Sequence, residues 1–118
     1  MAKRKEGLLA QRVANHIRRN YPQVMFRFDL GADMPLPPHL ARKSKDLHGD
    51  MLSRGHTALV FYEPRGKYHG LFIELKEDSS VSKYQKIYME RLRKRGYQVK
   101  VGRRYEPTIE IIDAYLNI

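Results

Sequence analysis

The first half of the chain changes from a helical to a strand pattern of hydrophobic positions. Apolar residues four positions apart predict a helix over residues 6–20. Its buried stripe consists of Leu9, Val13 and Ile17. Alternation over residues 24–30 then predicts a half-buried strand. After a proline-rich crossing, residues 39–52 predict a basic helix that Gly49 interrupts. The apolar side of this helix would consist of Leu40, Leu47 and Met51.

Two apolar runs with a turn-rich segment between them open the second half. Residues 57–62 and 70–75 are apolar on both faces, which is typical of strands at the centre of a covered sheet. The segment between them contains Pro64 and Gly66. We therefore predict a β-hairpin with a loop of medium length.

A third helix is marked at both ends by residues that cap helices. Ser80 or Ser82 can accept hydrogen bonds at its start, and it would run to about Arg95 and end at Gly96. Its inner stripe would consist of Tyr84, Ile87, Tyr88 and Leu92.

A strand and a last helix complete the chain. Residues 97–101 alternate as a strand, and Pro107 is predicted at the first position of the final helix. The predicted order of elements is therefore helix, strand, helix, strand, strand, helix, strand, helix, with about four strands in all. This order predicts an α/β sandwich with a central mixed sheet and helices on both faces. The length of 118 residues fits a single domain spanning residues 1–118.

Charge and composition narrow the class of protein. Lys and Arg number 23 against 13 Asp and Glu, so the formal net charge is +10. A folded domain this basic is typical of proteins that bind a polyanion, nucleic acid first among them. The absence of cysteine excludes disulfides, thiol nucleophiles and Cys-ligated metals. No apolar segment reaches the length of a membrane span or a secretory signal, so we expect a soluble intracellular protein without membrane contact.

The candidate chemistry lies at the end of the second apolar run. Glu74 and Lys76 are two residues apart and therefore project from the same face of a strand. A carboxylate beside an ammonium offers a metal ligand and a group that can orient or deprotonate a water molecule. By itself the pair is also compatible with a plain ion pair at the end of a strand.

The wider order of motifs resembles the PD-(D/E)XK nuclease superfamily, and in particular the virus-type replication-repair nuclease (VRR-NUC) domains carried by many phages. Those domains have an early Glu on the first helix, then Gly-x-Pro-Asp, Glu-x-Lys, Ser-x-x-Gln, and Gly-Tyr before the last strand. The matching residues here are Glu6, Glu74, Lys76, Ser82, Gln85, Gly96 and Tyr97. The resemblance covers nearly the whole chain.

One position departs from the family pattern. Where the family has Gly-x-Pro-Asp, this chain has Gly-His-Thr-Ala, so Ala58 occupies the place of a metal-binding aspartate. Three interpretations stay open. The site is inactive and the fold binds nucleic acid; or the register is shifted by one or two residues; or another acid substitutes. The candidates for that acid are Asp46, Asp50 and Glu6, whereas Glu63 would face the other way.

The resemblance implies a nuclease that acts on DNA, in particular branched or Holliday-junction DNA, as a homodimer. Glu74 and the backbone carbonyl of Leu75 would hold Mg²⁺ or Mn²⁺, with Glu6 or Asp50 as a further ligand. Lys76 would position the attacking water, and Gln85 would orient it or Lys76. The basic residues expected to contact nucleic acid are Lys83, Lys86, Arg91, Arg42, Lys43 and Lys45.

The same resemblance implies a phage or prophage protein in the cytoplasm of a bacterial host, without a small-molecule cofactor. Two other functions remain open from the residues. One is a catalytically inactive DNA-binding module, which Ala58 favours. The other is a basic surface that engages a host protein.

Overall fold

The described part of the chain has the predicted order of helix, strand, helix, two strands, helix, strand and helix. The computed structural model describes residues 2–29, 36–55 and 57–118, and the side chains of residues 2–6 and 50–55 lie outside that description. The helices are α1 (Ala2–Asn20), α2 (Pro38–Gly55), α3 (Lys83–Lys94) and α4 (Tyr105–Leu116). The strands are β1 (Phe26–Phe28), β2 (Leu59–Phe61), β3 (Leu71–Lys76) and β4 (Gln98–Arg103).

The strands form one mixed sheet in the order β1-β2-β3-β4. β2 pairs antiparallel with both β1 and β3, whereas β3 and β4 are parallel. The α/β sandwich with a mixed sheet is therefore confirmed. The hairpin formed by β2 and β3 lies at the centre of the sheet, as the apolar character of both runs predicts.

One face of the sheet is covered by α1 and α4. Alternation along β3 directs Leu71, Ile73 and Leu75 to this face, where they pack with the buried stripe of α1. The core there includes Leu9, Val13, Ile17, Leu59, Phe61, Leu71, Ile73, Leu75, Ile109, Ile112, Tyr115 and Leu116, and the small Ala58 contacts the same cluster. This layer is mainly apolar, with Thr57 and Thr108 as its fully buried polar members, and it holds β3 in a fixed position.

The other face of the sheet is covered by α3, against which α2 packs. The buried residues of α3 are Gln85 and Met89, while the predicted stripe of Tyr84, Ile87, Tyr88 and Leu92 is only half-buried. The helix is turned so that the amide of Gln85 faces the sheet. The prediction of an aromatic and aliphatic inner stripe was wrong in this respect.

Several element ends differ from the prediction. β1 is shorter than residues 24–30, although backbone hydrogen bonds extend its pairing from Met25 to Asp29. Gly49 has φ +78° and breaks α2 into two helical pieces. Leu40 and Leu47 are 45% and 65% exposed, so the predicted apolar side of α2 is not buried at these positions.

Pro107 occupies the third position of α4 rather than the first. The difference is tolerated because the first N–H groups of a helix have no partner within the helix. Among the described residues, no helix has the length and apolar character needed to cross a membrane.

Candidate active site

Glu74 is the most deeply buried charged residue of the described sheet, at 1% exposure. Its Oε2 accepts a hydrogen bond of 2.8 Å from Nε2 of Gln85, and Nζ of Lys76 lies 3.7 Å from the same oxygen. Its Oε1 is buried as well. A carboxylate in such a place is tolerated because an ammonium and an amide face it. The structure thus brings together the three residues predicted to be catalytic.

Gln85 is held in place by the start of its own helix. Ser82 caps α3: its Oγ accepts from the backbone N–H of Gln85 at 3.1 Å, and its own N–H donates to Oε1 of Gln85 at 2.9 Å. This reciprocal pair is a capping box. Because the side-chain oxygen of Gln85 is used in the cap, its NH₂ group is directed at Glu74. The Ser-x-x-Gln spacing therefore does two things, starting the helix and orienting the amide.

Ala58 lies beside Glu74 on the neighbouring strand and is 1% exposed. β2 and β3 pair with Leu59 opposite Ile73, so one further step of the same register sets Ala58 opposite Glu74. Residues opposite each other on antiparallel strands project to the same face. A methyl group therefore occupies the place where a carboxylate would meet Glu74. A methyl group cannot bind a metal, and the assignment of position 58 to the family's aspartate stays a prediction.

A solved structure described as a VRR_NUC domain protein has the same architecture. It superposes with a TM-score of 0.73 at 25% identity, over 95% of this chain and 88% of that chain. The resemblance to the VRR-NUC nuclease domains is confirmed. No protein-family model matches the chain, and no curated protein matches it.

The acids considered as substitutes in this VRR-NUC fold do not lie at the site where they are described. Asp46 is exposed on α2. Glu63 lies beyond the far end of β2, where its carboxylate accepts from the backbone N–H of Met25 at 2.8 Å. The side chains of Glu6 and Asp50 lie outside the described residues. Within the described residues, no group of three or more histidine or acidic side chains could hold a metal ion.

Asp29 is the residue near the site that the sequence analysis missed. Its backbone N–H donates to the carbonyl of Ala58 at 2.7 Å, so the two residues are paired across β1 and β2. Alternation in residues 24–30 directs Asp29 away from Phe26 and Phe28, and this was the available signal. The position of Asp29 opposite Ala58 depends on strand pairing, which the sequence does not specify.

Leu75 lies between Glu74 and Lys76 with its side chain in the apolar core on the other face. Its backbone connects the two charged residues along β3. The role of its carbonyl as a metal ligand stays a prediction.

The residues predicted to contact nucleic acid are exposed on the two helices that lie on the α3 side of the sheet. They are the exposed residues Lys83, Lys86 and Arg91 of α3 and Arg42, Lys43 and Lys45 of α2. Lys83 and Lys86 flank Gln85 in the first turns of α3. Since α2 packs on α3, both groups of basic residues lie on the face of the sheet that carries Glu74.

Proposed function

We propose that this protein hydrolyses phosphodiester bonds of DNA, branched DNA in particular, with Mg²⁺ or Mn²⁺. The observation that carries the proposal is the buried arrangement of Glu74, Lys76 and Gln85, with contacts of 2.8 and 3.7 Å to one carboxylate oxygen. Buried charges that the fold does not require are typical of functional sites. The VRR-NUC neighbour supports a nuclease-family protein.

Each residue of this arrangement has a task that its position supports. Lys76 lies near the end of β3 and can orient the attacking water and stabilise the charge that builds up on the phosphate. Gln85 is fixed by the capping box, so it holds the carboxylate of Glu74 in one orientation. Basic residues on α2 and α3 would bind the DNA backbone without reading its sequence.

The donor set of the site fits a hard divalent cation. Mg²⁺ binds through one or two carboxylates and keeps several waters or substrate oxygens as its other ligands. Glu74 supplies one buried carboxylate, and the backbone carbonyl of Leu75 is the predicted second ligand. When bound, the ion would polarise the scissile phosphate and lower the pKa of a water molecule.

We extend the proposal to the biological setting that the resemblance implies. The protein would act as a homodimer on junction DNA in the cytoplasm of a bacterial host of phage. A single small domain covers only one strand of a junction, and a net charge of +10 supports a polyanionic partner.

Cleavage of labelled four-way-junction and duplex DNA with Mg²⁺ or Mn²⁺ tests the proposal. We expect the wild type to cleave and Glu74→Gln to be inactive. Glu90→Gln is the matched control, since Glu90 is an exposed acid on the same helix that supplies Gln85. Absence of cleavage by the wild type, or full activity of Glu74→Gln, would contradict the proposal.

A second candidate function is a catalytically inactive DNA-binding protein, and the buried Ala58 favours it. Such a protein would bind junctions with a steep dependence on salt, roughly 0.9 log units in affinity per log unit of salt for each phosphate contacted. The variant Ala58→Asp separates the two functions. Cleavage by Ala58→Asp together with none by the wild type would favour the inactive protein.

A further inference from the structure

Three residues line up across three neighbouring strands at the α3 side of the sheet. Phe28 pairs with Leu59 and Leu59 with Ile73. One step further along the same register brings Asp29 opposite Ala58 and Ala58 opposite Glu74. The hydrogen bond of 2.7 Å from Asp29 N–H to the Ala58 carbonyl fixes the first of these pairs.

Asp29 and Glu74 lie on the same face of the sheet. Phe26 and Phe28 pack against the apolar core on the α1 side, so alternation directs Asp29 to the α3 side. A second observation agrees with this placement. The pKa of Tyr88 on α3 is raised, first by burial and then by the negative charge of Asp29. Tyr88 lies three residues after Gln85, on the same side of the helix.

Ala58 contributes only a methyl group between the two acids. The backbones of Asp29 and Glu74 are two strand spacings apart, about 10 Å. Ala58 is 1% exposed, so the covering helix packs above it, and Tyr88 of that helix lies close enough to Asp29 to feel its charge. Within the sheet, position 58 is the one residue between the two acids, and its side chain is a single methyl group.

We propose that Asp29 replaces the aspartate missing at position 58 and, together with Glu74, forms the carboxylate pair that binds a divalent cation. The inference rests on the proposed function and adds a metal ligand to it. The replacing carboxylate would lie at the end of β1, one strand away from position 58, rather than on α1 or α2. Two carboxylates agree with the one or two that Mg²⁺ uses when substrate phosphates supply further oxygens.

Binding of Mn²⁺ alone to the full chain, without DNA, tests the inference through a readout other than activity. The free ion is measured by electron paramagnetic resonance, and circular dichroism verifies that each variant is folded. We expect saturable binding by the wild type and a loss of affinity of about tenfold or more in Asp29→Asn. Asp46→Asn is the matched control, because it removes an exposed carboxylate on α2 and should stay within about twofold of the wild type.

A rescue variant distinguishes ligation from a structural role of Asp29. If Asp29 stands in for position 58, then Ala58→Asp in the Asp29→Asn background should restore Mn²⁺ affinity. Wild-type affinity in Asp29→Asn, no saturable binding by the wild type, or failure of the folded double variant to recover affinity would each overturn the inference.

Junction cleavage measured in parallel separates this inference from the proposed function. Cleavage by Asp29→Asn at the wild-type rate would overturn the role of Asp29 and leave the nuclease function standing. Mn²⁺ binding that needs Asp29, with no cleavage by the wild type, would support Asp29 as a ligand and contradict the nuclease function.

Discussion

Strand β3 presents an apolar face to α1 and α4, whereas its face toward α3 carries Phe72 followed by two charged residues. Leu71, Ile73 and Leu75 are at most 1% exposed and belong to the core on the first side. Glu74 and Lys76, from the same six-residue strand, are buried on the second side. The two faces of one strand therefore differ in chemistry while they are similar in burial.

The two faces separate residues that stabilise the fold from residues whose burial destabilises it. Burying an aliphatic side chain stabilises a fold by about 1.5–3 kcal/mol. Burying a carboxylate and an ammonium costs several kcal/mol per ion, which their attraction only partly offsets. An apolar pair of the same volume would serve the fold equally well. The charges on the α3 side are therefore best explained by chemistry, and the apolar layer holds them in place.

Truncating a side chain on the apolar face of β3 should have the largest effect on the free energy of unfolding. Ile73 is fully buried in the core, so Ile73→Ala leaves a cavity and should lower the free energy of unfolding by about 3–4 kcal/mol. Urea denaturation measures this value. DNA cleavage below the unfolding transition should persist, because no group of the candidate active site is removed. If Ile73→Ala lowered the free energy of unfolding by less than Lys76→Met does, the proposed division between the two faces would be contradicted.

Breaking the polar pair should have an intermediate effect. Lys76→Met removes the ammonium 3.7 Å from Glu74, but the amide of Gln85 still donates to the buried carboxylate, so we expect a cost of about 2 kcal/mol. Adding Glu74→Gln should bring the double variant back to within about 1 kcal/mol of the wild type. Denaturation of the four proteins of this cycle provides the measurement. Strictly additive losses would show that the pair is not coupled.

Removing the helix cap should have the smallest effect of the three. Ser82→Ala deletes the oxygen that accepts from Gln85 N–H and should lower stability by about 1 kcal/mol. Ser80→Ala is the matched control, since Ser80 was the alternative cap in the sequence but α3 begins after Ser82. Thermal denaturation compares the two. Equal losses in both variants would contradict the assignment of the cap.

Most of the fold could be predicted because its signals are local. The apolar runs of β2 and β3 specify a buried hairpin, and Gly96 ends α3 with φ +93°, where a Cβ would come within 2.5 Å of His69. The rotation of α3 could not be predicted in the same way. Either its aromatic residues or Gln85 could face the sheet. The capping box and the hydrogen bond to Glu74 orient the helix so that Gln85 does.

The candidate site was predictable only where its residues share one strand or one helix turn. Glu74 and Lys76 are two residues apart, and Ser82 and Gln85 are three apart, so spacing alone brings each pair together. Asp29 reaches the site through pairing between β1 and β2, which are separated by α2 along the chain. Strand register of this kind depends on packing of the whole sheet.

The decisive experiment compares the wild type with Lys76→Ala, from parallel preparations, in the single-turnover rate of cleavage of a labelled four-way junction. We expect metal-dependent cleavage by the wild type and a loss of at least about a hundredfold in the variant. Salt-dependent junction binding should be similar in both, since the exposed basic residues of α2 and α3 are unchanged. Equal cleavage by both proteins, or none by either, would contradict the assignment of the Glu74–Lys76 face as a nuclease active site.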